Sequence, residues 1–259
     1  DLGRDFDVMA ARLQGLLDSQ QRLLHDVSHE LRSPLARLRI GLELARNGDG
    51  AEATWAFDRI EREADRLNDL IGQILALARL DNKPRVTDNT IVDLKRVVDE
   101  VVADADFEAN SHNRRVNVVT TEECSVAGNE QLLRSAIENV VRNAVFHTAE
   151  GTAVEVSLRS RNGGNVAEAV IGVLDHGHGV PQAALDKIFR PFYRVADSRD
   201  RKSGGVGLGL SISQRAIQLH GGKVRATNAP AAGLLVEIVI PVADEVAIRP
   251  EGDTAPTHP

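Results

Sequence analysis

The feature that most constrains this chain is a pair of long amphipathic segments separated by one short glycine-rich turn. Apolar residues recur at spacings of three and four from about residue 5 to residue 46, and again from residue 52 to residue 80. The intervening Asn47-Gly48-Asp49-Gly50 is typical of a helix end followed by a turn. We therefore predict two long helices that form an antiparallel hairpin.

The apolar seams of this hairpin predict how it assembles. Their alternating spacings of four and three are carried by Leu24, Leu31, Leu35, Leu38 and Leu42 in the first helix and by Ile60, Ala64, Leu67, Ile71, Ile74 and Ala78 in the second. A lone hairpin has too little to bury this surface against, so we expect two copies to pair into a four-helix bundle. The alternative is an intramolecular coiled coil packed on the next domain.

A histidine lies on the flank of the first seam. His29 is followed directly by Glu30, and Pro34 removes one helical hydrogen bond, which should bend the helix just past the histidine. A histidine beside a carboxylate on an exposed flank suits a nucleophile, although a lone helical histidine is more often only solvated. The pattern is not a zinc protease motif, because Ser33 stands where the second histidine would be.

The chain from about residue 89 changes to a mixed pattern after a linker at 82–88. We predict strands near 90–92, 115–121, 153–161, 166–175, 223–227 and 234–241, and helices near 94–110, 130–147, 182–188 and 208–220. This order predicts an α/β sandwich, with helices on a mixed sheet. Residues 244–259 are poor in apolar side chains and are expected to be disordered.

Composition excludes several classes of protein. The formal net charge of −7 argues against non-specific nucleic-acid binding. Cys124 is the one cysteine, so an intramolecular disulfide is impossible and a reducing compartment fits. The sequence has no signal peptide and no apolar run of about 18 residues that could span a membrane. Because the first residue is Asp rather than Met, we expect a fragment of a longer protein.

Three polar clusters in the second half suit nucleotide chemistry. Asp175-His176-Gly177-His178-Gly179 closes a strand with a carboxylate that could accept from an exocyclic amine, and its glycines would let a flat ring approach. The glycine loop at 204–210 leads into a helix whose N-terminus suits polyphosphate. Asn139 and Asn143 share one helix face, where two amide oxygens could help hold Mg²⁺.

The order of these motifs resembles that of the histidine kinase family. Ser28–Leu35 looks like the H box, Asn139–Asn143 the N box, Asp175–Gly179 the G1 box, Phe189–Arg194 the F box and Gly205–Gly209 the G2 box. The resemblance covers about residues 5–243. Within the family, the sequence resembles most the envelope-stress sensor kinases, by Ser19–Leu24, Phe192-Tyr193-Arg194 and Ser203-Gly204-Gly205. Residues 1–24 resemble the last helix of a HAMP signalling linker, followed by a dimerisation and histidine phosphotransfer domain at 25–81 and a GHKL-type (Bergerat) ATP-binding domain at 89–243.

The resemblance implies ATP-dependent phosphorylation of His29, transfer to an aspartate of a response regulator, and a phosphatase activity. Glu30 and Ser33 would be catalytic with His29, and Asn139 and Asn143 would hold Mg²⁺. Residues from Arg190 to Val206 would form a mobile lid. The residues expected to contact ATP are Asn139, Arg142, Asn143, His147, Asp175, Gly177, Gly179, Phe192, Arg194, Gly205, Gly207, Leu208 and Gly209. A homodimer is implied, on the cytoplasmic side of a bacterial inner membrane, with any membrane segment upstream of residue 1.

Several positions depart from the family pattern. Ser33 stands where many relatives have Thr, and Phe146, His147, His176, His178 and Val206 also replace the usual residues. A non-catalytic ATP-binding scaffold is therefore the alternative function, and an ATP-driven clamp of the GHKL class is a third. The intact His29, Asn143 and Asp175 argue against the non-catalytic scaffold. The H-box hairpin argues against the ATP-driven clamp.

Overall fold

The computed structural model describes residues 2–81, 90–162, 167–195 and 205–243. The chain divides into two compact units, one containing the residues up to Arg79 together with Arg190–Leu208, and the other containing Leu80–Phe189 and the chain from Gly209. The predicted linker at 82–88, the turn near 163–166 and the tail from residue 244 lie outside the described residues. The domain limits given above therefore remain predictions.

Two long helices form the hairpin, as the apolar spacing predicts. Helix α1 spans Leu2–Asn47 without interruption and helix α2 spans Ala51–Asp81. Gly50 adopts a positive φ of 58° in the connecting turn, a conformation that favours glycine. The helices approach closely near Gly41, where an added Cβ would lie 2.9 Å from Cγ1 of Ile60. Pro34 lies inside α1, which continues on both sides of it.

The apolar seam of the hairpin is only partly covered within one chain. The side chains of Leu24, Leu35, Leu42 and Ile71 are 62%, 49%, 45% and 42% exposed, respectively. Ala56 and Leu70 are buried.

Among the described residues, no helix combines the length and apolar character needed to cross a bilayer.

The second unit is a five-stranded sheet packed against helices. The helices are α3 (Leu94–Asn110), α4 (Glu130–His147) and α5 (Gly209–Leu219). The strands are β1 (Ile91–Asp93), β2 (Arg115–Thr121), β3 (Ser125–Ala127), β4 (Ala153–Asn162), β5 (Ala167–Leu174), β6 (Lys223–Asn228) and β7 (Leu234–Pro241). The large sheet has the order β2-β4-β5-β7-β6, in which only the β2–β4 pair is parallel. Its core is aliphatic, as the low aromatic content of 3% requires.

Two predicted details of this unit were wrong. Strand β3 was not predicted, because three residues are too few to show a period, and it pairs antiparallel with β1. The helix predicted at 182–188 is only a 3-10 turn at Gln182–Ala184, whose N-terminal residue, Pro181, supplies no side-chain cap. Beside β3, burial raises the pKa of the Cys124 thiol, which is 5% exposed.

Candidate functional site

The histidine of the H box is exposed on helix α1. His29 and Ser33 both lie on the surface, and Glu30 is half-buried between them. The preceding Ser28 donates its hydroxyl to the carbonyl of Leu24 at 2.8 Å, within the helix. Ser33 instead accepts a 2.6 Å hydrogen bond from Nη1 of Arg37, so its hydroxyl is held by a cation. The imidazole of His29 is therefore open to a partner, while the hydroxyl groups of Ser28 and Ser33 are hydrogen-bonded within α1.

A buried carboxylate marks the end of strand β5. Asp175 is 3% exposed, and its Oδ1 accepts hydrogen bonds from the backbone N–H groups of Gly177 at 2.9 Å and Leu234 at 3.2 Å. Within the described part of the chain, Oδ2 receives no hydrogen bond. An unbonded oxygen on a mostly buried carboxylate is stabilised by a donor, and an exocyclic amine would supply one. The geometry therefore fits the adenine contact expected of Asp175.

The G1 glycines line a tight loop beside this carboxylate. A side chain at Gly177 would overlap the carbonyl oxygen of His147, at the end of α4. Gly179 has a φ of 71°, and an added Cβ would lie 2.8 Å from Oδ1 of Asn228. Only glycine fits both positions, so the backbone itself forms this wall of the cradle.

Asn228 fastens this loop through both atoms of its amide. Its Oδ1 accepts from the backbone N–H of Val180 at 2.8 Å, and its Nδ2 donates to the carbonyl of the same residue at 2.6 Å. Asn228 was not predicted from the sequence, because an asparagine at the end of a strand carries no local sign of a partner 48 residues away. It is a further residue of the candidate nucleotide site.

The histidines that replace common family residues cluster at the same loop. The ring of His147 meets those of Phe146 and His178 edge-on, with centroids 4.9 and 6.2 Å apart. The backbone N–H of His176 donates to the hydroxyl of the buried Thr148 at 3.1 Å, and its Nε2 lies 3.0 Å from Oε1 of Glu155. The substituted residues therefore pack into the loop rather than obstructing it.

The two asparagines of the N box lie on α4, and Asn139 is beside the start of α5. Asn139 and Asn143 are half-buried, and an added Cβ at Gly209 would lie 3.4 Å from Oδ1 of Asn139. The buried hydroxyl of Ser213 donates to the carbonyl of Ala136 at 2.8 Å and joins the two helices. Arg142 is exposed on α4. The amide oxygen of Asn139 and the N-terminus of α5 thus meet in one place, one helical turn from Asn143, which suits a cation and the phosphates that it neutralises.

A second missed residue secures the start of α4. His220 accepts at Nε2 from the backbone N–H of Asn129 at 3.0 Å and donates from Nδ1 to the carbonyl of Ala216 at 2.7 Å. This pattern requires the neutral ring, and burial lowers the pKa of His220 accordingly. A histidine in a last helical turn gives no sequence signal of this role.

The remaining predicted ATP residues belong to the other compact unit. The backbone N–H of Phe192 donates to the carbonyl of Gly207 at 3.0 Å, which ties the F box to the G2 box. Phe192 and Gly207 both have positive φ, at 61° and 83°. Arg194 and Gly205 are exposed and Leu208 is buried. Part of the predicted lid, residues 196–204, lies outside the described residues.

Two family models match the chain in tandem. The His Kinase A (phospho-acceptor) domain matches residues 19–83, and the histidine kinase-, DNA gyrase B-, and HSP90-like ATPase matches residues 128–244. The chain is also 39% identical over 241 residues to the sensor histidine kinase CpxA of Escherichia coli strain K12. The chain belongs to the histidine kinase family. The resemblance to this family that the motifs predict is confirmed by these matches.

The match to CpxA covers 93% of this chain and 51% of CpxA, so the chain spans about half the length of the curated relatives it matches. Solved histidine kinases share the fold. The Acinetobacter baumannii histidine kinase AdeS has a TM-score of 0.66 at 19% identity, covering 83% of this chain and 98% of AdeS. The histidine kinase ThkA, in complex with the response regulator protein TrrA, has a TM-score of 0.67 at 21% identity, covering 84% of this chain and 60% of ThkA.

Proposed function

We propose that this histidine kinase phosphorylates its own His29 from ATP and passes the phosphoryl group to an aspartate of a response regulator. One observation carries the proposal: a single chain holds an exposed histidine in a phospho-acceptor domain and a glycine-walled cradle around Asp175 in an ATPase domain. A scaffold without catalysis would have no need of both.

His29 is the proposed nucleophile. In its neutral form an imidazole has a ring nitrogen whose lone pair can attack phosphorus. As the N–P bond forms, the bond from the γ-phosphorus to the bridging oxygen breaks and ADP leaves. The ring carries positive charge until it loses its remaining N–H proton. Glu30, the adjacent carboxylate, would stabilise that charge and orient the ring.

Asp175 and the N box would bind the nucleotide. Asp175 offers its unbonded Oδ2 to the adenine amine, and the glycines at 177 and 179 admit the ring. Asn139 and Asn143 would hold Mg²⁺, whose charge would neutralise the phosphates. The side-chain amide oxygens of these residues fit the oxygen-ligand preference of that ion.

Two exposed surfaces, the hairpin seam and the surface beside His29, suggest the partners of this chain. The exposed leucines of the hairpin seam support a homodimer in which a second copy covers them. A response regulator would bind beside His29, and ThkA, a structural neighbour, was solved with such a protein. We also propose a place on the cytoplasmic side of a bacterial inner membrane, in keeping with the similarity to CpxA.

Labelling with [γ-³²P]ATP tests the proposal. The wild-type chain should acquire label that is stable to base and labile to acid, as expected for a phosphoramidate. The His29→Gln variant should acquire none while still binding ATP, because the nucleophile lies outside the nucleotide cradle. His25→Gln, one turn earlier on the same helix, is the matched control and should label almost normally. Equal loss of label in both variants would contradict the assignment of His29.

A further inference from the structure

A charged cluster lies between the two hairpin helices, two turns beyond His29. Glu63 of α2 is 4% exposed, and its carboxylate lies within ion-pair distance of two arginines. Nη1 of Arg66 donates a hydrogen bond to Oε1 at 3.0 Å, whereas Nη2 of Arg37 on α1 lies 2.9 Å from Oε2 as an ion pair without hydrogen-bond geometry. These contacts lower the pKa of Glu63 against the opposing effect of burial, so the carboxylate is charged. Removing one partner of a buried ion pair is costly, because it leaves the other charge uncompensated.

Arg37 connects this cluster to the H box. While Nη2 binds Glu63 on α2, Nη1 of the same guanidinium donates to Oγ of Ser33 on α1 at 2.6 Å. The planar fork holds both contacts at once, which a lysine ammonium at this position would not reproduce. The position of the Ser33 hydroxyl therefore depends on the register between α1 and α2.

The contrast with Ser28 reveals what Arg37 does. A serine inside a helix ordinarily turns its hydroxyl back to the carbonyl four residues earlier. Ser28 does so, donating to Leu24 at 2.8 Å. Ser33, five residues on in the same helix, accepts from Arg37 instead, and its hydroxyl donates to no acceptor in the described chain. One lone pair and the hydroxyl proton of Ser33 are thus free for a water molecule.

We propose that Arg37 is a positioning residue that aims the Ser33 hydroxyl at the water that hydrolyses the phosphorylated regulator. The inference rests on the proposed function, since it needs a phosphoaspartate brought to the H box. In the reaction, the water oxygen forms a bond to phosphorus and the bond from phosphorus to the aspartate oxygen breaks. Inorganic phosphate and the free carboxylate result, and the proton of the water leaves with the phosphate or to solvent. Glu63 acts only by holding Arg37.

The probe is the receiver domain that the wild-type chain labels fastest in a purified panel. Labelled receiver is freed of nucleotide and mixed with each unlabelled variant, and released inorganic phosphate is counted, which excludes return of label to His29. Because a small misplacement of a catalytic contact is costly, Arg37→Ala should slow release by about tenfold or more. Ser33→Ala should slow it comparably, and Arg37→Lys should not restore it.

A double variant separates positioning from general damage. If Arg37 acts through Ser33, then Ser33→Ala with Arg37→Ala should be no slower than Ser33→Ala alone. Arg39→Ala removes an exposed arginine two residues on and should release phosphate like the wild type. Arg37→Ala with Glu63→Ala removes both charges, avoids an unpaired buried carboxylate, and should still be slow. In Arg37→Ala and Arg39→Ala, autophosphorylation of His29 should stay within about threefold of wild type, because Arg37 acts on the water of the hydrolysis reaction and not on the γ-phosphoryl group of ATP.

The outcomes are distinct. Wild-type phosphate release by Arg37→Ala, a further loss in the double variant, or a wild-type chain that labels His29 but releases no phosphate would each overturn the role of Arg37. Loss of His29 labelling together with phosphate release in Arg37→Ala would also overturn it, because that pattern means a damaged hairpin. A wild-type chain that never labels His29 would overturn the proposed function itself.

Discussion

Replacing Asp175 by Asn tests the adenine contact with almost no change of shape. The Asn Oδ1 can keep the two backbone hydrogen bonds from Gly177 and Leu234, at 2.9 and 3.2 Å in the native site. The second oxygen, which the chain leaves unbonded, becomes an NH₂ group. A donor would then face the donor on adenine, whereas the carbonyl of guanine would meet a suitable partner.

The expected size of the effect follows from these contacts. A hydrogen bond to a charged acceptor contributes roughly 1.5–3 kcal/mol, and the site is buried enough for that range to apply. The Kd for ATP should therefore rise about 10- to 100-fold. Affinity for GTP should stay the same or improve, so the preference for ATP over GTP should fall by at least the same factor.

Calorimetry with non-hydrolysable ATP and GTP analogues at low and high Mg²⁺ measures both effects. Asp186→Asn changes an exposed carboxylate nearby and should bind like the wild type. Asn143→Ala should lose ATP affinity in a way that added Mg²⁺ partly restores, since Asn143 is proposed to act through the cation. The reasoning is refuted if Asp175→Asn shows that same Mg²⁺ response, or if it keeps its preference for ATP.

Three further predictions concern the rest of the molecule. Leu67→Asp should convert a dimer at micromolar concentration into a monomer by light scattering, because it places a charge in the seam at a cost of several kcal/mol; Asn68→Asp, on the exposed side, should stay dimeric. Asn228→Ala should weaken ATP binding by about 5- to 30-fold in calorimetry, since two hydrogen bonds of about 1 kcal/mol each are lost. An unchanged Kd for ATP would exclude a role for Asn228 in the nucleotide site. His220→Gln should flatten the fall in unfolding free energy as the pH drops below about 6.5. The reason is that burial lowers the pKa of this ring, so the unfolded chain binds a proton that the folded chain does not. Parallel curves of unfolding free energy against pH for the two proteins, measured by thermal unfolding, would contradict this.

The sequence predicts those elements whose cause is local. Helices α3 and α4 begin and end at the predicted residues, and the structure supplies the reason: the side chains of Asp93 and Asn129 accept from the N–H groups of Arg96 and Leu132. Strand β3 could not be predicted, because its three residues are held by pairing with β1 rather than by their own pattern.

The same distinction applies to the candidate site. The carboxylate, the glycines and the paired asparagines were predicted because each lies within a short motif with a chemical meaning of its own. Three residues were missed because their partners are distant in the sequence. Asn228 lies 48 residues from Val180, His220 lies 91 residues from Asn129, and Arg37 lies 26 residues from Glu63. Only folding brings such pairs together, and their residue types are common on any surface.

The buried Cys124 makes this kinase convenient for spectroscopy. Its thiol is shielded beside β3 and, with a raised pKa, is mostly protonated at neutral pH, so thiol-directed labels should leave it untouched. A cysteine introduced on an exposed position of α1 and another on the exposed edge of β2 would be the two reactive thiols among the described residues. A spin label on each would then report the distance between the phospho-acceptor helix and the ATPase sheet as nucleotide is added, without any background mutation to the native protein.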